Sequence, residues 1–382
     1  MNKLLATLLF LILFSLNTNS FSDENKLKIG LLAPFSGEYK DLGNSMLLSV
    51  QLALDEVDDK NIIIIPRDTG SNNKNKLNIA IKEIINEGVK VIIGPVNSKD
   101  FEEAYKYKET IFLSPSNTNP EIKNNIISIG ISLESQLNAL GEFISKKKKN
   151  KTIILYPENE YANFIEKKIN KIKLKNYKLF KYNPDPKVLT GEIEKLTNYS
   201  QRKRNLELRK KMLADKEDLQ SINELKKLDQ IYTLGKVDFD SIIVIDFGNS
   251  LKSVLTSFIF SDVDEKDVLF TTVNQWFDQS IFFENSLKTL YYPSINYNNF
   301  IKYNNRYIKN FNTQPSEITI LTYDAVGLIY YIWKKNSKTV TLKEFLIKDK
   351  IKGKIGTFSF NNNQVLQKLD IYKAENKKFT KF

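Results

Sequence analysis

The chain has 382 residues, 57 of them Lys or Arg and 45 Asp or Glu, for a formal charge of +12; 41% are hydrophobic and 27% charged. That balance describes a soluble globular protein with ample core and length for two domains. It contains no Cys and no His, which removes disulfides, Cys/His zinc sites, thiol nucleophiles and every Ser-His or Cys-His dyad.

Met1-Asn2-Lys3 is followed by an apolar run from Leu4 to Leu16 and then by Asn17-Thr18-Asn19-Ser20-Phe21-Ser22. One positive charge, a short apolar stretch and small residues at alternate positions predict a secretory signal peptide over residues 1–22, cut after Ser20 or Ser22. The run falls short of the ~18 residues of a comfortable membrane span. With no Cys to carry a lipid, the expected product is a cleaved protein free in the periplasm, not a lipoprotein.

From Lys26 strand and helix signals alternate. Lys28 to Phe35 is a buried strand ending in Ser36-Gly37-Glu38-Tyr39, and Met46 to Glu56 has helical apolar spacing. Asn61 to Ile65 is a second strand, Leu77 to Asn86 a helix stopped by Gly88, and Val89 to Gly94 and Thr110 to Leu113 the next strands. Serial βα units imply a parallel, doubly wound sheet. The pattern restarts after Asn125 to Gly130: helix Leu133 to Ser145, strand Lys151 to Tyr156, helix Tyr161 to Leu174, strand Tyr177 to Tyr182. Strand Ser241 to Asp246, helix Ser250 to Ser261 and strand Val268 to Val273 follow. Two lobes fit this run better than one large sheet.

Thr190 to Leu234 interrupts the rhythm. Leu219, Ile222, Leu225, Leu228 and Ile231 recur every third residue, which predicts one long helix or a helical hairpin. Between Gln201 and Ile231 stand nine Lys/Arg against six Asp/Glu, so the insertion is basic and amphipathic: a brace with a solvated face, or a docking arm. Basic runs such as Lys146 to Lys149 lack the aromatic interleaving of a single-strand binder, so no nucleic acid is expected as partner; anionic polymers or membrane suit them better. At the tail, Ile301 to Phe311 and Ile318 to Trp333 read as helices, and Lys354 to Phe360 with Val365 to Lys373 as a terminal hairpin turning at Asn361-Asn362-Asn363.

Chemistry concentrates in two loops. Gly94-Pro95-Val96-Asn97-Ser98 and Ser114-Pro115-Ser116-Asn117-Thr118-Asn119-Pro120 each follow an apolar strand and break at Pro into hydroxyl and amide residues, where open α/β sheets place ligands. Ser98 precedes Lys99-Asp100-Phe101-Glu102-Glu103-Ala104 and can cap a helix whose N–H groups attract an anion, while Ser116 and Thr118 add uncharged hydroxyls. A β-turn beside an ordinary cap accounts for the same residues. No Walker loop, G-x-S-x-G elbow or G-x-G-x-x-G occurs and no paired acid–base arrangement is visible, so neither cofactor, metal nor enzymatic activity is expected.

The Ser-Pro-x-x-Thr-Asn-Pro loop resembles the amino-acid-contacting loop of the type I periplasmic binding proteins, the leucine/isoleucine/valine-binding family. IGLLAPFSGEYKDLGNSM resembles that family's first strand and Ser-Gly turn, Gly94-Pro95-x-x-Ser98 its carboxylate-binding serine, Tyr156 to Tyr161 the loop with its ligand-stacking tyrosine, and Tyr323-Asp324-Ala325-Val326 the start of its returning helix. The resemblance implies an α/β fold of two doubly wound Rossmann-like lobes joined by three crossovers, with the helical insertion at about 190–234 in the second lobe. Lobe I then comprises 23–130 and 293–345, lobe II 131–292 and 346–382.

It further implies a non-enzymatic receptor that closes its lobes on a small carboxylate ligand, an amino acid or short peptide, and serves as the substrate-binding component of an ABC importer with an inner-membrane permease as partner. The implied site residues are Ser98, Ser116 and Thr118 for the carboxylate and Tyr161 across the cleft. Asp246, Asn249 and Asp278 are candidates for the ammonium partner, although Asp278 stands at an unusual offset for the family. The Arg67-Asp68-Thr69-Gly70 loop, Tyr199 to Arg209 and Asn274-Gln275-Trp276 resemble alphaproteobacterial penicillin-binding protein activator-like proteins. That subgroup implies the alternative, a non-catalytic regulator of peptidoglycan synthesis that docks a peptidoglycan synthase. In either case a monomer is expected.

Overall fold

A computed structural model of the chain describes residues 26–117, 125–170, 172, 174–282, 288–345, 350–361 and 364–382. The signal peptide expected at 1–22, and Thr118, lie outside the described residues. The chain divides into two compact units.

The first unit opens with β1 (Leu27–Ala33), α1 (Lys40–Val57), β2 (Ile62–Asp68), α2 (Lys74–Asn86), β3 (Val91–Ile93), a single 3-10 turn at Ser98–Asp100, α3 (Phe101–Ala104) and β4 (Ile111–Ser114). All pairings among these strands are parallel, in the order β2-β1-β3-β4, with Ile29 opposite both Ile64 and Val91, and Val91 opposite Ile111. The apolar runs predicted this, because a sheet covered on both faces selects uninterrupted Ile, Leu and Val.

Helix α1 starts at Lys40, six residues before the spacing suggests. Its polar first turn hides the start, and Gly43 makes it possible: a Cβ there would lie 2.2 Å from the carbonyl oxygen of Pro34.

The second unit includes the residues after β4 from Pro115 and resumes within β5 (Ile126–Ser128), continuing with α4 (Leu133–Lys146), β6 (Thr152–Pro157), α5 (Ala162–Ile169), β7 (Tyr177–Tyr182), α6 (Pro186–Leu196), α7 (Tyr199–Ala214), α8 (Leu219–Leu228), β8 (Ser241–Val244), α9 (Gly248–Phe260), β9 (Leu269–Thr272), β10 (Thr289–Ser294) and α10 (Tyr297–Phe311). Then α11 (Thr319–Lys335) and α12 (Leu342–Phe345) return the chain to the first unit from Thr322 onward. There α11 meets α1: Tyr323 donates its hydroxyl to Glu56, and Lys334 approaches Asp59 at 2.9 Å.

The tail, β11 (Ile351–Gly353), β12 (Gly356–Asn361), β13 (Gln364–Gln367), β14 (Asp370–Glu375) and β15 (Lys378–Lys381), belongs to the second unit. Its main sheet runs β7-β6-β8-β9-β10-β14-β15, parallel through β10 and antiparallel at β14 and β15. The terminal hairpin expected over 354–373 is only partly as read. β12 pairs with β13, but the second arm breaks at Lys368-Leu369 and β14 joins β10 instead. The break has a cause: Gln367 is buried and held by Ser135, Ile129 and Gly130, so the strand cannot run straight on. Asn362 and Asn363 lie outside the described residues.

The insertion is a helical hairpin, α7 against α8, preceded by α6. Leu206, Leu213 and Leu228 form its small core, and Arg209–Glu224 and Lys210–Asp229 pair across it. The break between α7 and α8 is fixed by Asp218, which accepts from Ser221 N at 2.9 Å as an N-cap.

Candidate ligand-binding site

The carboxyl ends of β6, β8 and β9 open into a cavity of about 400 Å³ within the second unit. Such a crevice is where doubly wound sheets hold ligands, and the volume falls in the roughly 300–1,000 Å³ range of small-molecule pockets.

Its apolar wall is built from Leu133, Phe164 and Ile165 of the helices, Pro157 at the end of β6, and Ile245 and Val273, each one residue past its strand. Leu133, Ile165, Ile245 and Val273 belong to the same core as Leu137, Leu140 and Ile144 of α4, so the wall is the exposed end of a packed core. The polar groups are Asn117, Gln136, Asn159, Tyr161 and Asp246, and the half-exposed Phe247 stands beside Asp246.

Local bonds fix these groups. Gln136 is buried in the first turn of α4, donates to the Ile131 carbonyl at 3.0 Å and accepts from Asn274 N at 2.8 Å. Asn274 in turn accepts from Ser294 Oγ at 2.8 Å and from Trp276 N at 3.1 Å, and Gln275 donates to the carbonyl of Asp246 at 3.0 Å. The loops after β8 and β9 are therefore tied to each other and to α4. This bracing supports a left-handed backbone at two bulky residues, Trp276 (φ 51°) and Phe277 (φ 64°), a conformation that costs energy and persists only where the surroundings impose it.

Asp246 accepts from Phe247 N at 2.7 Å and from the hydroxyls of Tyr182 and Ser250. Burial, then the adjacent Asp246 charge and the hydrogen bond to it, push the Tyr182 hydroxyl well above the ordinary tyrosine range, so it stays a donor. Burial and the hydrogen bond to Glu166 push Tyr156, at the end of β6, up to about 12.

The residues singled out by sequence distribute as follows. Tyr161 and Asp246 both line the cavity. Ser116 is buried beside the lining Asn117; its carbonyl accepts from Ser128 Oγ at 3.2 Å and sits 1.9 Å from where a Cβ on Gly130 would stand. Thr118 is outside the described residues. Asn249 is exposed in the first turn of α9, and Asp278 is exposed and caps its own 3-10 turn through Ser280 N at 2.8 Å and Ser280 Oγ at 2.6 Å; neither lines the cavity.

Ser98 belongs to the first unit and is half-buried. The cap there is Asn97, whose Oδ1 accepts from Lys99 N at 3.0 Å, and not Ser98; an Asn one position earlier has the shorter reach to that N–H. Asn97 opens the 3-10 turn Ser98–Asp100, and α3, itself a single turn, follows with Asp100 at its N-cap and no side-chain cap bond. Sequence reasoning missed Gln136, Phe164, Phe247 and Tyr182. Only Gln136 carries a signal, a polar residue on the apolar stripe of an otherwise regular amphipathic helix.

Among the described residues no group of three or more Asp or Glu could hold a metal ion, and no helix is long and apolar enough to cross a membrane.

A family model described as periplasmic binding protein matches residues 26–172. No curated protein matches the chain by sequence. Solved structures match nearly its full length. A branched-chain amino acid transporter substrate binding protein from Streptococcus pneumoniae, in complex with isoleucine, is 20% identical with a TM-score of 0.56, covering 94% of this chain and 100% of that one. A putative branched-chain amino acid ABC transporter protein from Rhodospirillum rubrum is 11% identical with a TM-score of 0.66 over 94% and 100%. A solute binding protein from R. palustris, in complex with benzoate, is 14% identical with a TM-score of 0.54 over 94% and 95%. At these identities the likeness concerns the fold, and with the parallel sheet orders and the match over residues 26–172 it shows that the chain has the α/β fold of the type I periplasmic binding proteins.

Proposed function

We propose that this protein is a member of the type I periplasmic binding protein family that acts as a receptor for a small carboxylate ligand of amino-acid type, the substrate-binding component of an ABC importer whose partner is an inner-membrane permease. The observation that carries the reading is the cavity at the carboxyl ends of β6, β8 and β9, walled by apolar side chains and carrying Tyr161 and Asp246. In this reading Ser98, Ser116 and Thr118 contact the carboxylate, Tyr161 covers the ligand, and Asp246 is the acid nearest its ammonium group. An unpaired ammonium in such a pocket would be costly, so the acid is needed for a zwitterion. The solved structures of this fold include complexes with isoleucine, with Leu and with benzoate, which supports a solute receptor as the general class.

Thermal-shift measurements over amino acids, short peptides and simple aromatic acids test it. A ligand that raises the melting temperature of the wild type and not of Tyr161→Ala supports the reading; no shift with any of them counts against it.

One observation favours the alternative, a penicillin-binding protein activator-like regulator of peptidoglycan synthesis. The insertion hairpin exposes several large apolar side chains, as a docking arm for a synthase would. Recovery of a peptidoglycan synthase from periplasmic extract, lost on deleting 199–228, would favour regulation; recovery of permease subunits would favour import.

A further inference from the structure

Among the described residues that line the cavity, Gln136 is the one that is both polar and buried, at 4% exposed. It sits on α4 one turn after Leu133 and one turn before Leu140, on the stripe that Leu133, Leu137 and Leu140 give to the core. An amphipathic helix ordinarily carries an apolar residue at such a position.

The amide of Gln136 is held at both ends. Its Nε2 donates to the Ile131 carbonyl at 3.0 Å and its Oε1 accepts from Asn274 N at 2.8 Å, so the partners tell the two ends apart. A side-chain amide has two donor hydrogens and two acceptor lone pairs. These bonds use one of each, and among the described residues they are the partners of the side chain. One N–H and one lone pair remain. A bridge between the chain before α4 and the loop after β9 accounts only for the half of the amide already in use.

Depth decides which part of a ligand meets the other half. Leu133, Ile245 and Val273 are buried, whereas Asn159, Tyr161 and Phe247 are exposed and Asp246 is half-buried. Gln136 belongs with the buried set: Leu133 is its neighbour along the helix, and Val273 directly precedes the Asn274 that holds it. The charged ends of an amino acid belong with Asp246 and the exposed groups, where they lose least hydration. The ligand's side chain is left to face the buried wall and Gln136.

An aliphatic side chain laid there would exclude water from the remaining N–H and offer nothing in its place. A side chain ending in an amide or a hydroxyl restores the bond. Sites built around a buried hydrogen-bonding group reject analogues that lack its partner more strongly than apolar pockets reject small differences in size.

We propose that Gln136 is a specificity-determining residue of the cavity, selecting ligands whose side chain carries an uncharged amide or hydroxyl over aliphatic ligands of the same shape. This rests on the carboxylate-receptor reading given above and narrows its ligand class.

The test is isothermal titration of the protein with three shape-matched pairs of L-amino acids: asparagine and leucine, threonine and valine, glutamine and methionine. In at least one pair the polar member is expected to bind about tenfold tighter or more, and Gln136→Met, which keeps the length and removes the amide, should reduce that preference to less than about threefold. Gln136→Leu is the second variant, and the melting temperature of each reports folding. Should neither fold, the wild-type comparison decides alone, since it needs no substitution. Equal or tighter binding of the apolar member in every pair overturns the proposal and leaves the receptor reading standing, as does a polar preference that a folded Gln136 variant retains in full. Absence of binding by all six counts against the receptor reading itself, and the proposal falls with it.

Discussion

The hydroxyl of Tyr182, the last residue of β7, donates to Oδ2 of Asp246, two residues past the end of β8. The bond holds Asp246, the one acid among the described lining residues, in a fixed position with a third strand, β6, between the two that contribute it. Tyr182→Phe removes one buried donor and is expected to lower stability by about 1 kcal/mol, whereas Asp246→Ala leaves two hydroxyls and an N–H without their acceptor and should cost about 2–3 kcal/mol. Denaturant unfolding of the two variants checks the order.

Alkaline stability should depend on the same region. Tyr156 goes from 10.0 up to about 12 on folding, through burial first and then Glu166, and Tyr182 is displaced in the same direction. A hydroxyl raised in the folded state contributes stability that is complete below its unfolded pKa and is lost as pH rises through the interval. The melting temperature should therefore fall between about pH 10 and 12, and Tyr156→Phe should flatten part of that fall.

Acid stability has a counterpart in the first unit. Burial alone would raise Asp68, but Lys76, Ser36 and the Gly70 N–H outweigh it and hold the carboxyl at about 2, below its ordinary 3.8. A depressed carboxyl contributes stability that is present above the ordinary value and is lost as pH falls toward the folded one. Asp68→Asn, which also weakens acceptance from Phe35 N and Gly70 N, both at 2.8 Å, should cost about 1–3 kcal/mol at neutral pH and flatten the fall between about pH 4 and 2.

Gly130 permits the Ser116 loop to lie where it does. A Cβ at Gly130 would stand 1.9 Å from the Ser116 carbonyl oxygen, and backbone cannot swing aside as a side chain can. Gly130→Ala should destabilise by about 1–3 kcal/mol and weaken ligand binding more than Gly191→Ala, a position with open space around it.

Arg202 anchors the insertion. It is buried and donates to the carbonyls of Thr197 and Asp262 and to Thr233 Oγ1, each at 3.0 Å, and to the Ser261 carbonyl. Arg202→Met should cost about 3 kcal/mol and expose the hairpin to proteolysis first, and Arg202→Lys should not rescue it, since one ammonium cannot replace a planar fork.

The parallel strands were legible because burial on both faces leaves a continuous apolar run, as in Val91 to Ile93 or Ile242 to Val244. The start of α1 was not, because Gly43 reads as a breaker until the closeness of Pro34 is known. The hairpin was legible from the three-residue spacing of its apolar residues, but not which of them stay exposed, since spacing alone does not tell which side is inside. In the cavity, Asp246 stands just past a strand end, where sequence can point, and Tyr161 was reached only through the resemblance of its loop to that of a known family. Gln136 and Tyr182 act through partners distant in the chain, Asn274 and Asp246, that only folding brings to them.

Isothermal titration of the protein with leucine, isoleucine, phenylalanine and their des-amino carboxylate analogues tests the central claim most directly. Saturable one-to-one binding of at least one of them, abolished by Tyr161→Ala and weakened by Asp246→Asn, is the expected result. Absence of heat with every carboxylate, or binding that both substitutions leave unchanged, would contradict it.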